Sequence, residues 1–222
     1  MDPERGVIFD WDGVIIDSHD QHQQAWFRLA DEMGKPMTPE LFDQSFGMRN
    51  ESCIPEVFQW AEQGDHARIR EIGDRKEELY REVLRETGIE PLPGVVKLLE
   101  ELRENRIPAA VGSSTSRLNI LTVMEVANLA PLFVAISAAE DVDQGKPAPD
   151  VFLKAAEKML REPEHCVVFE DAFVGLQAAK AAGMKRIAVA TTHPLEALTD
   201  SDLAVRSLED VNLATIDSLF AG

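Results

Sequence analysis

Four acids, one lysine and a run of small hydroxyls fall in this sequence where apolar stretches give way to polar ones. Asp10 and Asp12 follow Val7-Ile8-Phe9, in the order Phe9-Asp10-Trp11-Asp12-Gly13. Acids at i and i+2 on extended backbone project to one side and leave Trp11 on the other. Such a pair suits a metal site, or a nucleophile beside an acid/base, and Gly13 permits a tight turn after it. Taken alone, Asp-x-Asp-Gly fits a solvated turn or a calcium loop as well. Ser113-Ser114-Thr115-Ser116 follow the apolar Ala109-Ala110-Val111. Hydroxyls and backbone N–H groups at a strand-to-helix junction can hold an anion, and they can equally serve as helix caps. Lys146, between Gly145 and Pro147, stands on a stiff loop, which suits a fixed positive charge aimed at a phosphate as well as an exposed turn. Glu170 and Asp171 close the apolar run Cys166–Phe169. An acidic pair there is costly unless it is solvated or binds a cation. The order acid pair, hydroxyl, lysine, acid pair, each at a junction of the same kind, favours a single cation-assisted site for a phosphate over unrelated turns.

The elements that must position these residues are legible as periodicities. Arg5–Asp10, Ile107–Val111, Leu132–Ile136, Cys166–Phe169 and Arg186–Ala190 are continuous apolar runs, as strands buried on both faces of a parallel sheet require. Helical patterns lie between them. Gly94–Asn105 carries Val95, Leu98, Leu99 and Leu102 on one face, and Ser116–Asn128 and Pro149–Leu160 repeat the spacing. The Ala-rich Gly175–Ala182 stops at Gly183. Alternation from about Glu90 onward predicts an α/β fold with a doubly wound, Rossmann-like parallel sheet, whose ligands bind at the carboxyl ends of the strands.

Between Ser18 and Gly88 no strand is readable. Gln21–Met33 predicts a helix burying Ala25, Trp26, Leu29 and Ala30; Thr38-Pro39-Glu40 starts a second. Ile69–Glu86 is a long charged helix with Glu71–Arg75 and Glu77–Arg81 pairs. The expectation is an α/β core over residues 1–17 and 89–222 with an α-helical cap inserted over 18–88, hinged near Asp17-Ser18 and Gly88–Pro91. Neither an internal repeat nor a low-complexity segment is present.

The 222 residues are 45% apolar and 28% charged, a composition that can build one domain carrying an insertion. The formal charge of −18 argues against nucleic acid and anionic membranes as partners, since both need a positive footprint. A phosphate site in so acidic a chain must be made locally positive by a metal ion, a lysine or helix N-termini. Apolar runs fall short of the roughly 18 residues of a membrane span. Met1-Asp2-Pro3-Glu4-Arg5 lacks the basic segment and apolar stretch of a secretory signal. The two cysteines, Cys53 and Cys166, are far apart and read as reduced thiols of a cytoplasmic protein.

With these motifs in hand, the sequence resembles the haloacid dehalogenase-like superfamily, in its phosphatase and β-phosphoglucomutase branch with a helical cap. The matching segments are Asp10–Ser18, Val111–Ser114, Gly145–Asp150 and Glu170–Met184, and the likeness runs over essentially the whole chain. The resemblance implies that Asp10 attacks the phosphoryl group to form an aspartyl-phosphate. It makes Asp12 the general acid and then the base. It implies Mg2+ held by Asp10, the backbone carbonyl of Asp12 and Asp171, with Glu170 as a further ligand or just behind. Ser113 would donate to the phosphoryl oxygens and Lys146 would neutralise Asp10 and the transferring group, in keeping with phosphoryl transfer as positioning plus charge neutralisation. Dehalogenase members lack this acid set, which sets dehalogenation aside.

In the cap, His22 and Arg75-Lys76 look like their β-phosphoglucomutase counterparts, and Gly47-Met48-Arg49-Asn50 resembles the segment that grips the non-reacting phosphate. The arginine comes one residue early, and Ser116 stands where those mutases have a lysine. The resemblance makes Ser114, His22, Arg49 and Lys76 substrate-binding residues. Trp26 and the charges of Glu71–Glu86 suit packing and a solvated face. The function expected is hydrolysis of a small phosphorylated metabolite such as a sugar phosphate by a monomer or weak homo-oligomer. The alternatives are a phosphohexomutase and a non-catalytic binding protein on the same scaffold.

Overall fold

The computed structural model describes residues 4–221; the expectations for Met1–Pro3 and for Gly222 lie outside them. β1 (Gly6–Phe9) is buried at every position and pairs on both edges, which explains its unbroken apolar character. The chain then leaves the sheet for α1 (His19–Met33), α2 (Pro39–Ser45), α3 (Asn50–Cys53), a π turn over Ile54–Phe58, and α4 (His66–Thr87). It returns through α5 (Val95–Glu104), β2 (Ala109–Gly112), α6 (Arg117–Val126), β3 (Ala135–Ser137) and α7 (Asp150–Met159). β4 (Cys166–Glu170), α8 (Phe173–Ala181), β5 (Lys185–Val189), β6 (Leu203–Val205) and α9 (Leu213–Ser218) complete it. Two compact units result: Ser18–Ile89, and the residues up to Asp17 together with those from Glu90 on.

The second of these units is an α/β fold. Its six strands are all parallel, in the order β3-β2-β1-β4-β5-β6. β1 lies between β2 and β4, where the winding reverses, and such a switch point is where open α/β sheets bind ligands. Phe9 is in register with Val111 of β2 and with Phe169 of β4, so the three strands end level. Asp10, Ser113 and Glu170 therefore emerge at one edge. Below them Phe9 stacks on Phe169 with ring centroids 4.9 Å apart. Trp11 turns inward, buried, with its ring 6.0 Å from that of Phe133. The apolar stripe of α7 (Val151, Phe152, Ala155, Ala156, Met159) packs with Ile8, Ala110 and Val168 on one face of the sheet.

The helical unit is built on α1 against α4. α1 buries Ala25, Trp26, Leu29 and Ala30, and α4 buries Ile69, Ile72, Leu79, Tyr80, Val83 and Leu84. Trp26 packs against Phe58 and Trp60, with centroids at 4.7 and 5.8 Å. Thr38 caps α2 by accepting from the Leu41 N–H at 3.2 Å, with Pro39 in the first turn. Arg75 binds Glu32, Glu78 and Glu82, while Glu71 pairs with Arg68, which corrects the expected Glu71–Arg75 pair. A second helix supplies Glu32, and the sequence of α4 alone could not show it.

The sequence reading missed β6, α9 and the π turn, all of them short. It also began β3 too early: Ala130–Leu132 form a 3-10 turn around Pro131, and the strand starts at Ala135. Cys53 and Cys166 are buried free thiols, pushed up to about 12 chiefly by burial. Among the described residues no helix is long and apolar enough to cross a membrane.

Candidate active site

Asp10 continues the β1 ladder for one residue, its N–H donating to the Phe169 carbonyl at 2.9 Å. The chain then folds into a tight loop in which the Trp11 carbonyl accepts from Ile15 (2.8 Å) and Ile16 (3.2 Å), and the Gly13 N–H donates to the Ile16 carbonyl at 2.8 Å. Gly13 has φ +78°, and a β-carbon there would fall on the Asp171 carboxylate. The loop thus brings Asp171 close to the β1 end only because residue 13 has no side chain.

Lys146 joins the two acidic pairs. Its Nζ lies 2.8 Å from Asp10 Oδ1 and 2.6 Å from Glu170 Oε1, with its side chain 6% exposed. The Lys146–Pro147 peptide is cis, and the Ala148 N–H closes the loop on the Gly145 carbonyl at 3.0 Å. Burial pulls the Lys146 ammonium down, but Asp10 and Glu170 outweigh it and hold it above the ordinary lysine value.

Glu170 is 1% exposed. Its Oε1 takes the lysine and its Oε2 accepts from the Ala172 N–H at 2.7 Å. The carboxyl lies where a β-carbon on Gly175 of α8 would be. Asp171 accepts from the Thr192 hydroxyl, while the neighbouring Thr191 hydroxyl donates to the Gly13 carbonyl at 2.5 Å. Burial, helped by Asp10, raises Glu170 above the usual carboxylate range; burial also raises Asp171, where Thr192 opposes it and Asp10 again adds to it.

Carboxylate oxygens of Asp10, Glu170 and Asp171 come within 4.8 Å of one another. One lysine cannot compensate three crowded carboxylates, so the cluster fits a cation. Its oxygen-only donors suit a hard divalent ion and not zinc. The Asp12 carboxylate is not part of this cluster. Its Oδ2 receives the Thr115 hydroxyl at 2.7 Å.

Ser113, 2% exposed, donates its N–H to the Ser137 carbonyl (3.0 Å), and its Oγ accepts from the Thr115 N–H (3.1 Å). That bond engages a lone pair of Oγ and leaves the hydroxyl hydrogen available to an anion. Ser114, beside it, is exposed.

A separate cluster forms within the helical unit. Lys76, 4% exposed, places Nζ 2.9 Å from His22 Nδ1 and 2.9 Å from Glu77 Oε1. Asn50 donates to the same glutamate oxygen at 2.9 Å, and the His22 ring stacks on Tyr80 at 3.9 Å. Burial, then the nearby Lys76 charge, holds His22 well below 6.5. Arg49 stands exposed at the start of α3.

The structure therefore brings together Asp10, Lys146, Glu170 and Asp171, links Asp12 to the Ser113 turn through Thr115, and pairs His22 with Lys76. Arg49 and Ser114 stand exposed. Sequence reasoning missed Thr115, Thr192 and Gly175. Thr115 lay in the hydroxyl run it singled out. Thr192 had only its position just past a strand as a signal.

The family model described as haloacid dehalogenase-like hydrolase matches residues 4–183. The chain is 34% identical over 217 residues to a chloroplastic 5-amino-6-(5-phospho-D-ribitylamino)uracil phosphatase of Arabidopsis thaliana, a match covering 96% of this chain and 57% of that protein. It therefore spans less than two thirds of that plant relative. Identity to the β-phosphoglucomutase of Bacillus subtilis is 31% over 213 residues, covering 94% and 92% of the two chains. A solved hydrolase of this family from Entamoeba histolytica superposes with a TM-score of 0.86 at 26% identity, covering 98% of this chain and 100% of the other.

Proposed function

Because this chain belongs to the haloacid dehalogenase-like hydrolases, we propose that it is a magnesium-dependent phosphatase that hydrolyses a small phosphorylated metabolite, a sugar phosphate or similar, through a phosphoryl group carried on Asp10. The observation that carries this reading is the buried Lys146 bridging Asp10 and Glu170, with Asp171 completing the carboxylate cluster. A carboxylate beside a fixed cation at a strand end is a ready nucleophile for a dianionic phosphate, which bare acids would repel.

Asp10 attacks phosphorus through a carboxylate oxygen, and the bond from phosphorus to the ester oxygen breaks. Asp12 gives its proton to that leaving oxygen. As a carboxylate it then takes a proton from water, whose oxygen attacks phosphorus and releases Asp10 and inorganic phosphate. Ser113 donates its hydroxyl to a phosphoryl oxygen, and Lys146 balances the charge on the same group. Magnesium held by Asp10, Asp171 and the Asp12 backbone carbonyl, with Glu170 beside them, would neutralise phosphoryl oxygens and fix the line of attack. In this reading the helical unit selects the substrate, with His22, Lys76 and Arg49, and Ser114 of the core, as recognition residues.

The B. subtilis relative and the buried Lys76–His22 contact favour a second reading, a phosphohexomutase in which a sugar hydroxyl replaces water. A mutase must hold a bisphosphate by its distal phosphate while the sugar turns over. The displaced Arg49, and Ser116 in place of a lysine, weaken that grip and favour hydrolysis. The test is a panel of phosphate esters with magnesium, run beside β-glucose 1-phosphate primed with glucose 1,6-bisphosphate. Free phosphate should exceed glucose 6-phosphate; the opposite ratio would establish the mutase.

A further inference from the structure

Thr115 is held from three directions. Its N–H donates to Ser113 Oγ at 3.1 Å, its carbonyl accepts from the Ala139 N–H at 3.2 Å, and its hydroxyl donates to Asp12 Oδ2 at 2.7 Å. The backbone bonds fix where the Cα sits, and a β-branched side chain has few rotamers, so its hydroxyl is delivered to one place. At that place is the carboxyl that exchanges protons with the leaving group and the water. The same residue touches Ser113, so one short turn fixes two partners of the phosphoryl group that reach the site from different strands.

We propose that Thr115 is the positioning residue for Asp12: its hydroxyl holds the carboxyl oxygen Oδ2 and so fixes the orientation in which the carboxyl passes a proton to and from the reacting oxygens. The assignment rests on the reading of Asp12 as the acid and base. A general acid must lie within hydrogen-bond reach of the oxygen it protonates. Asp12 lies in a loop whose backbone is anchored but whose carboxyl needs a fixed orientation to do this. Thr115 acts through Asp12, so removing it should slow the proton-dependent step without removing the nucleophile.

The test exploits leaving-group chemistry with generic aryl phosphates. The leaving group of 4-nitrophenyl phosphate needs little protonation, whereas phenyl phosphate expels a more basic oxygen. Thr115→Val keeps the shape and removes the donor. It should lower kcat/KM on phenyl phosphate, which reports the step that expels the leaving oxygen, about tenfold or more, the usual effect of losing a hydrogen bond to a charged group. On 4-nitrophenyl phosphate the loss of kcat/KM should be no more than about threefold. Thr115→Ser, which restores the hydroxyl, should recover most of the phenyl phosphate rate. Equal losses of kcat/KM on the two esters, or no rescue by serine, would overturn the proposal. Asp12→Ala run in parallel separates the failures. A strong leaving-group bias in Asp12→Ala without one in Thr115→Val defeats the assignment of Thr115 alone. Absence of bias in Asp12→Ala defeats the acid reading of Asp12, and the role of Thr115 with it.

Discussion

Lys146 Nζ sits between Asp10 Oδ1 and Glu170 Oε1, at 2.8 and 2.6 Å, in a site that shuts out nearly all solvent from the lysine. Two carboxylates from neighbouring strands are thereby held by one charge supplied from a loop between them in sequence. Removing the lysine leaves Glu170 buried and Asp10 half-buried without that counter-charge. Lys146→Met should therefore destabilise the metal-free protein by roughly 3–5 kcal/mol, the range for breaking a buried ion pair from one side. Excess magnesium should restore part of that loss. Thermal melts with and without the ion measure both quantities. A Lys146→Met protein as stable as wild type without metal would show that the ion pairs do not hold the site.

A cluster of three carboxylates balanced by one lysine should need a divalent cation to react and should be stabilised by it. Activity should vanish in excess chelator and return with magnesium. Calcium should bind but inhibit, since its looser coordination does not fix an in-line attack. Saturation at about a hundredfold over Kd should raise stability by roughly 2.7 kcal/mol. Asp171→Ala removes one of the converging oxygens and should raise the magnesium concentration that supports half-maximal rate. Full activity in chelator would contradict this account.

Gly175 offers a test in which propensity and packing oppose each other. Alanine favours a helix over glycine by about 1 kcal/mol, so Gly175→Ala within α8 would stabilise an open position. Here the new methyl would land on the Glu170 carboxyl, which is 1% exposed and tied to Lys146 and to the Ala172 N–H. The expected result is a net loss of about 1–3 kcal/mol, the usual cost of overpacking, together with reduced turnover as Glu170 is pushed from Lys146. Urea unfolding midpoints at constant m-value would measure it. An unchanged or raised midpoint would mean that the helix and the carboxyl do not meet.

The helical unit should carry a pH dependence of its own. His22 faces Lys76, Glu77 and His19, and its pKa is held below 6.5 by burial and then by Lys76. The unfolded chain therefore binds a proton near pH 6.5 that the folded chain refuses. Stability should be full above that value and fall as pH drops through the window below it, by at most about 1.4 kcal/mol per pH unit for this single proton. His22→Gln should flatten the slope between pH 6.5 and 5. If the two slopes coincide, His22 is not what titrates.

Much of this architecture was legible because its signals are local. A buried parallel strand reads as a continuous apolar run; the acids and hydroxyl of the site lie within a few residues of a strand end and the lysine just before a helix, so their order indicated a joint site. What escaped depends on distance in sequence. Thr115 meets Asp12 across 103 positions and Thr192 meets Asp171 across 21, and nothing around either threonine marks its partner. Gly175 looked like an ordinary helix residue, since its purpose is set by the carboxyl that fills its missing side chain. β6, only Leu203–Val205, is too short to show a period. Arg75 looked like half of an i,i+4 pair, but α1 supplies Glu32 and overrides the local pattern.

The central claim is that Asp10 is the nucleophile, and Asp10→Asn assayed by phosphate release from 4-nitrophenyl phosphate with saturating magnesium tests it most directly. An amide cannot attack phosphorus and is a poorer metal ligand, so the account expects no release above the uncatalysed background, from a protein whose melting curve shows that it is folded. Retention of more than about a tenth of the wild-type rate, a barrier change under ~1.4 kcal/mol, would contradict it.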